Sequence, residues 1–340
     1  MPPPPHRPGA LAWQVFRGSD AIRQGLVTEH QLRSSAWLRL RHDVYADARL
    51  HRDHALACRA AVLRLPPEAL FAGPSAACLH GVEHAASFAD DVHVLVPRGV
   101  RLGPQRGLRV HCTGAHRQPA GAGGGPYPTL RTPGDGLRTA LRAPADGPGS
   151  PVRPVPGGPR VADLRTAGVP ASTDPTSAAW ETAVWLEPLR AVGIVDRLLR
   201  QGLTSRAALA DVAARNADRP GGRRARWVFE LADPGARSAA ESELRVRLVL
   251  AGLPRPAVRH AVRAASGLVV HADLAWPAYR VAVAQDGRHA ETDAGHLDRI
   301  ARLVGAGWLV LPVTGRRLRQ DFPGVLRETR AALGARGWRP

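Results

Sequence analysis

Four side chains able to act on a phosphodiester cluster in the C-terminal third of the sequence. Glu241 lies near the start of a predicted helix, Asp273 lies inside an apolar segment, and Asp286 and His289 follow the next apolar segment. Carboxylates can hold Mg²⁺ while phosphate and water fill its other positions, and a histidine can move a proton. The pattern indicates metal-assisted phosphodiester hydrolysis, with all four residues as catalytic candidates and Asp273 and Asp286 as metal ligands.

Each acid also has a structural interpretation. Ser238 and Glu241 have the spacing of a capping box, in which each side chain bonds the other residue's backbone N–H at a helix start. Asp286 is followed by glycine, a favoured hairpin-turn dipeptide. Asp273 is the hardest to explain in this way, because a charged residue inside an apolar strand needs a reason.

The elements that must position these side chains follow from the apolar periodicity of residues 238–335. In chain order the pattern predicts a helix over 241–250, strands over 268–276 and 280–285, a helix over 297–304, a strand over 308–313 and a helix over 323–333. This is a mixed sheet flanked by helices. It predicts the last domain of an α/β (α+β multidomain) chain.

Residues 10–50 predict a winged helix-turn-helix. A first helix over 20–24 is followed by a glycine break and by a second helix after Thr28, which with Gln31 forms another capping-box pair. The alternation of apolar and basic residues over 38–41 then predicts a half-buried hairpin, the wing.

This hypothesis assigns DNA contacts to both parts of the motif. His30, Gln31 and Arg33 would reach the major groove from the second helix, and Arg39 and Arg41 would contact phosphates from the wing. The alternative is a small domain whose polar faces are simply solvated.

The rest of the chain divides by composition. Residues 51–112 predict a small α/β unit, 113–160 a Gly/Pro-rich flexible insertion, and 161–232 a helical region. Within the last of these, Arg223, Arg224 and Arg226 form a basic run that is either a further phosphate contact or a solvated helix start.

Charge and composition restrict the class of protein. All 47 basic residues are arginine against 29 acids, which gives a net charge of +18 over 340 residues. That balance favours acidic partners such as nucleic acid, although a GC-rich genome gives the same bias. The 3 cysteines lack CxxC spacing, and we find neither a signal peptide nor a membrane span. We therefore expect a cytoplasmic protein without membrane contact.

Several C-terminal strings resemble one family. They are Glu241-Ser242-Glu243-Leu244-Arg245, Gly252-Leu253-Pro254-Arg255-Pro256, Asp273-Leu274-Ala275-Trp276-Pro277, Asp286-Gly287-Arg288-His289, Asp298 with Arg302-Leu303, and Gly307-Trp308. Together they resemble the domain of unknown function 559, which is similar to the very-short-patch repair endonucleases. The resemblance covers nearly all of 238–333 and implies a restriction-endonuclease-like fold.

The N-terminal strings resemble a second family. They are Gly25-Leu26-Val27-Thr28, Gln31-Leu32, Val44-Tyr45 and the run from Phe71 to Gly81. They resemble AbiEi-type antitoxins of toxin-antitoxin pairs, in which a winged helix that represses its own promoter precedes a second domain. The two parts occur together in many actinobacterial proteins, whose middle strings are similar to Gly168-Val169-Pro170 and to residues 196–199.

The chain departs from the first family at a residue that matters for chemistry. The family usually reads Val-Ala-Val-Glu-Tyr-Asp-Gly where this sequence has alanine, Ala284, in place of the glutamate. Residues 284 and 286 are two apart on a strand and share a face, so one expected metal ligand is missing. Arg259 stands where the family often has glutamine, and it adds positive charge.

These observations leave three hypotheses. The first is a DNA-binding, antitoxin-like transcriptional regulator whose nuclease-like domain has an impaired metal site. The second is an active Mg²⁺-dependent DNA endonuclease, with Glu291 replacing the missing acid. The third is an antitoxin-like module that binds a cognate toxin or another protein. The sequence leaves the oligomeric state open.

Overall fold

The computed structural model describes residues 6–112, 171–264, 267–286 and 294–339. The chain divides into two compact units, residues 1–178 and 179–340. Within the described ranges there are eleven α-helices and three small sheets, which confirms the predicted α+β multidomain class. The predicted insertion at 113–160 lies outside the described residues.

The first unit begins with an antiparallel sheet of three strands. Its elements are β1 (Val15–Arg17), α1 (Gly18–Arg23), a 3-10 turn (Gln31–Arg33), β2 (Trp37–Arg41) and β3 (Val44–Asp47). The strand order is β1-β3-β2, so β2 and β3 form the predicted hairpin. A hydrophobic cluster of buried residues that includes Phe16, Leu32 and Trp37 forms the core of this region.

The prediction of a second α-helix in the helix-turn-helix is wrong. The capping pair does form, since Gln31 Oε1 accepts from Thr28 N at 2.8 Å and Thr28 Oγ1 accepts from Gln31 N at 3.2 Å. The helix nevertheless ends after the single 3-10 turn Gln31–Arg33, because Ser34 turns extended. Serines compete for backbone hydrogen bonds, and Ala36 and Trp37 must enter the core as β2 begins.

The second part of this unit is the predicted small α/β region. It contains α2 (His54–Val62), β4 (Leu70–Phe71), α3 (Gly73–Leu79), β5 (Val92–Val96) and β6 (Leu108–Cys112). The strand order is β4-β5-β6, with β5 and β6 parallel. Every residue of the central strand β5 is buried, including His93.

Of the predicted helical region 161–232, the structure describes residues 171–232, and from Pro175 on these are mainly helical. Its helices are α4 (Pro175–Trp185), α5 (Pro188–Arg200), α6 (Arg206–Arg215) and α7 (Gly222–Leu231). Glycine at 202 has a φ of +68°, and this left-handed position ends the α5 segment. Helices α5 to α7 belong to the same compact unit as the C-terminal sheet.

The C-terminal part contains one mixed sheet of four strands. Its elements are α8 (Ala239–Leu250), β7 (Ala257–Arg263), β8 (Val269–Trp276), β9 (Val281–Asp286), α9 (Ala294–Gly305), β10 (Leu309–Thr314), α10 (Gly315–Gln320) and α11 (Phe322–Ala335). The order is β10-β9-β8-β7, and only β10 and β9 are parallel. The periodicity did not predict strand β7, because its sequence, Ala-Val-Arg-His-Ala-Val-Arg, groups apolar and polar residues in pairs instead of alternating them.

Helices cover both faces of this sheet. On one face Leu274 and Val283 pack in a cluster with residues of α8 and α11. On the other face Ala275 and Ala282 pack against Leu303 of α9. No helix in the described ranges is long and apolar enough to cross a membrane.

Candidate functional site

Asp273 lies in the centre of the C-terminal sheet. Strand β8 pairs with β9 so that Leu274 is opposite Val283, and this register continues to place Asp273 opposite Ala284. Successive residues of a strand point to opposite faces, so both residues lie on the face that α9 covers. Asp273 is only 6% exposed, which makes it a buried carboxylate.

The carboxylate of Asp273 is held by an arginine of α9. Arg299 donates from Nη1 to Oδ1 at 2.7 Å and from Nη2 to Oδ2 at 3.0 Å, and the backbone N–H of Gln285 donates to Oδ2 at 2.9 Å. Arg299 Nη2 also donates to Nδ1 of His296 at 3.1 Å, since a guanidinium has no acceptor. The negative charge of Asp273 is therefore neutralised by a bidentate ion pair with the guanidinium of Arg299.

Glu241 approaches the same region from the first turn of α8. Its Oε2 accepts from the backbone N–H of Arg237 at 2.8 Å, and its own N–H donates to Ser238 Oγ at 3.1 Å. Only the serine half of the predicted capping box forms, because the Glu241 carboxylate bonds the N–H of Arg237 instead of that of Ser238. Burial raises the pKa of Glu241, and the negative charge of Asp273 adds to this effect. The structure thus brings these two acids close enough to interact electrostatically.

The remaining members of the predicted metal site are described only in part. Asp286 is the last residue of β9, and its backbone pairs with Thr314 of β10. Its side chain, together with His289 and Glu291, lies outside what the structure describes. Ala284 is 1% exposed and contributes only a methyl group.

The described residues do not fit a magnesium site. Both oxygens of Asp273 accept N–H groups of Arg299, whose positive charge would repel a metal ion there, and Glu241 Oε2 bonds the backbone N–H of Arg237. A Mg²⁺ ion needs oxygen ligands that are free to coordinate it. Among the residues with described side chains, no group of three His, Cys, Asp or Glu is placed to hold a metal ion.

The Asp273–Arg299 pair lies in a cleft of about 350 Å³ that is rich in arginine. Arg237, Arg259 and Arg302 also line it, and the acids among its described lining residues are Asp273 and Asp298. Arg302 Nε is bound to Asp298 Oδ2 at 2.6 Å. Arg237 and Arg259 form no ion pair with any described residue, so the described lining of the cleft has a net positive charge.

Arg259 has a strained backbone. Its φ of +52° is left-handed, which is rare for a residue with a side chain. On either side, Val258 pairs with Leu274 and His260 with Ala272, so Arg259 falls opposite Asp273 without a regular ladder pairing. Strain of this kind concentrates at functional sites.

The side chains of the first unit that were predicted to contact DNA differ in their exposure and in the hydrogen bonds they already form. His30, Arg33 and Arg39 are exposed. Gln31 is half-buried and committed to the capping pair with the backbone of residue 28. Arg41 is also half-buried, because its guanidinium donates to the carbonyls of residues 106 and 107.

The three arginines of the basic run lie on α7, which begins at Gly222. All three are exposed, and Arg224 also donates to the carbonyl of Leu186. The exposed Trp227 follows them on the same helix. This geometry agrees with the interpretation of the run as a solvated helix start.

A buried serine and histidine in the first unit resemble a nucleophile and its base but have no access to substrate. His54 Nε2 lies 2.8 Å from Ser75 Oγ, and His54 Nδ1 lies 2.8 Å from the carbonyl of Ser87. The Ser75 oxygen also accepts from the backbone N–H of His93 at 2.8 Å. Because Ser75 is 0% exposed, we assign this network to the stability of the α/β region.

A buried ion pair connects the helical region to α8. Asp196 Oδ2 accepts from Arg245 Nη2 at 2.7 Å and from Ser242 Oγ at 2.6 Å, and Oδ1 accepts from the N–H of Asp233 at 2.6 Å. The side chains of Asp196 and Arg245 are 2% and 1% exposed. Residues 242 and 245 of the family-like string therefore have a structural role here.

Sequence reasoning missed Arg299, the residue that most changes the chemistry of the site. The signal available was indirect: a carboxylate buried in an apolar strand requires a partner cation, and α9 carries two arginines, at 299 and 302. Arg237 was also missed, because it precedes the predicted helix and lies in no motif.

Comparisons with known proteins leave the class undetermined. No family model matches the chain. Two curated proteins from two strains of Mycobacterium tuberculosis are each 31% identical over 161 residues, and both are described as uncharacterized. The match spans 46% of this chain and 58% of the relatives' length. No solved structure matches.

Proposed function

We propose that this protein is a cytoplasmic DNA-binding regulator of the antitoxin-like type, whose nuclease-like C-terminal domain holds DNA phosphates without cutting them. The observation that carries the proposal is the arginine-rich cleft around Asp273, in which Arg299 is paired with the buried carboxylate. The guanidinium of Arg299 supplies positive charge at this position. Unlike a bound metal ion, it does not activate a water molecule for hydrolysis.

The order of elements supports the nuclease-like part of this proposal. A helix, three antiparallel strands, a helix and a parallel strand follow one another from α8 to β10. This agrees with the mixed sheet flanked by helices that the family resemblance implies. Cleavage in such a domain would need carboxylates free to hold Mg²⁺, whereas Asp273 is paired and the residue opposite is Ala284.

The positive charge of the cleft supports the proposal that the C-terminal domain binds DNA. Arg237 and Arg259 line the cleft without an ion pair to any described residue. Phosphate oxygens of DNA can therefore serve as their counter-charges. Phosphate contacts by arginine dominate the affinity of proteins for DNA and make it salt-dependent. The net charge of +18 adds a long-range attraction.

The first unit would contribute contacts to the DNA backbone rather than to base edges. A recognition helix reads the major groove over several turns, and the chain has only the 3-10 turn Gln31–Arg33 at that place. The exposed Arg33 and Arg39 are suited to phosphates. We therefore expect weak sequence preference from this unit.

The test is the salt dependence of binding to a fluorescently labelled duplex, measured by anisotropy on the full chain. The variant Arg237→Gln with Arg259→Gln removes two cations from the cleft. We expect the slope of log K against log salt to decrease by about 1.8, at about 0.9 for each phosphate contact. The control Arg319→Gln with Arg327→Gln removes the same charge from exposed positions outside the cleft.

The outcomes separate the three hypotheses. Equal slopes for the cleft variant and the wild type contradict a phosphate site in the cleft. Metal-dependent nicking of plasmid by the wild type supports the endonuclease hypothesis instead. Absence of any salt-sensitive binding refutes the proposal and favours a module that binds a toxin or another protein.

A further inference from the structure

The first unit contains a cavity of about 630 Å³ that the proposed function does not use. It opens between the β2–β3 hairpin, helix α2 and the loops on either side of β5. This volume lies within the range of about 300–1,000 Å³ that small-molecule sites occupy. Part of its lining is apolar and comes from Leu40, Ala57, Ala60 and Phe88.

A half-buried cation lies in this lining. Arg41 donates to the carbonyls of Arg106 and Gly107 at 3.0 and 2.9 Å, which fixes the guanidinium but leaves other N–H groups available. Both acceptors are neutral, and no described carboxylate lies within ion-pair distance of Arg41. Burial lowers the pKa of Arg41; the charge of Arg64 adds to this effect, and Cys58 and Asp91 oppose it.

The rim of the cavity adds positive charge. Arg64 is exposed and donates to the carbonyl of His42 at 2.9 Å, and Arg106 is exposed beside it. Asp90 is the carboxylate of the lining, and its Oδ2 accepts from the N–H and hydroxyl of Ser87 at 2.7 and 2.8 Å. The described lining residues therefore include three arginines and one carboxylate, which is already hydrogen-bonded.

We propose that this cavity binds a small amphipathic anion. The apolar part of the ligand packs against Leu40, Ala60 and Phe88, and its carboxylate, sulfonate or phosphate group accepts from Arg41 and Arg64. A buried charge is costly unless it is paired, so a ligand anion relieves the desolvation of Arg41. Charge-assisted hydrogen bonds to a guanidinium are also among the strongest that a ligand can form.

The test uses two fluorescent probes on the full chain. Anilinonaphthalene sulfonate and phenylnaphthylamine share an apolar ring system, and only the first carries an anion. We expect saturable binding of the sulfonate at one site, about tenfold tighter than binding of the neutral probe. Arg41→Gln should weaken sulfonate binding about tenfold and leave the neutral probe unchanged.

Two further variants keep the test decisive. Arg64→Gln alters an exposed side chain and should weaken sulfonate binding in the same direction, even if Arg41→Gln disturbs the loop at 106–107. Ala57→Phe fills the cavity and should abolish binding of both probes. Arg52→Gln, an exposed charge of this unit outside the lining, is the matched control and should change neither.

Three results would overturn the proposal. One is equal affinity for the charged and the neutral probe, because the cations would then contribute nothing. Another is sulfonate binding that survives Ala57→Phe in a variant that circular dichroism shows to be folded. The last is an equal loss in Arg52→Gln and Arg64→Gln, which would indicate general charge attraction. None of these measurements depends on DNA binding.

Discussion

The pairing of Arg299 with Asp273 predicts a specific loss of stability. In Arg299→Met the carboxylate keeps one described hydrogen bond, from the N–H of Gln285 at 2.9 Å, and loses two guanidinium bonds. Removal of one partner from a buried ion pair costs about 3–5 kcal/mol. Arg299 is 25% exposed, so water can partly solvate the carboxylate, and we expect about 2–3 kcal/mol.

The assay is urea unfolding of the wild type, of the two single variants Arg299→Met and Asp273→Asn, and of the double variant. Because the partners contact each other, the double variant should lose about 2 kcal/mol less than the sum of the single losses. The control Arg327→Met lies on an exposed face and should change stability by under about 0.5 kcal/mol. Strict additivity of the two single losses would refute the pairing.

Three further predictions test the site and its surroundings. In Ala284→Glu with Arg299→Met, Mg²⁺ should raise the melting temperature, because two free carboxylates then face each other; an equal rise in the wild type would contradict this. Arg245→Met leaves Asp196 charged and buried, and calorimetry should give a loss of about 3–5 kcal/mol; a loss under about 1 kcal/mol would contradict the pair. Burial lowers the pKa of His111 from 6.5 to about 4, so its contribution to stability is complete above pH 6.5 and is lost as the pH falls toward 4. His111→Gln should remove that loss from a plot of melting temperature against pH, and an unchanged plot would exclude His111 as its source.

Much of the fold was predictable because it depends on local periodicity. The pattern of residues 51–112 predicted the small α/β unit that contains β5, and the alternation at 38–41 predicted the hairpin. The weak strand β7 and the shortened second helix were not predicted. In both, tertiary packing outweighs local preference, since β7 is stabilised by its neighbour β8 and the turn at Gln31–Arg33 gives way to a buried Trp37.

The candidate site was predictable only in part. Asp273 stood out because a carboxylate among apolar residues requires compensation, and Glu241 because of its spacing from Ser238. The partner of Asp273 is 26 residues away on a helix, and sequence spacing gives no information on contacts of that kind. The strain at Arg259 is likewise visible only in the backbone angles.

The most direct test of the central claim compares DNA binding by the wild-type chain in EDTA and in Mg²⁺ at equal ionic strength, with the same samples then run on a denaturing gel. Arginine cations need no metal, and Mg²⁺ competes for phosphates, so the account predicts binding in EDTA at least as tight as in Mg²⁺, with intact strands. Binding that requires Mg²⁺, or strand cleavage in its presence, would contradict it.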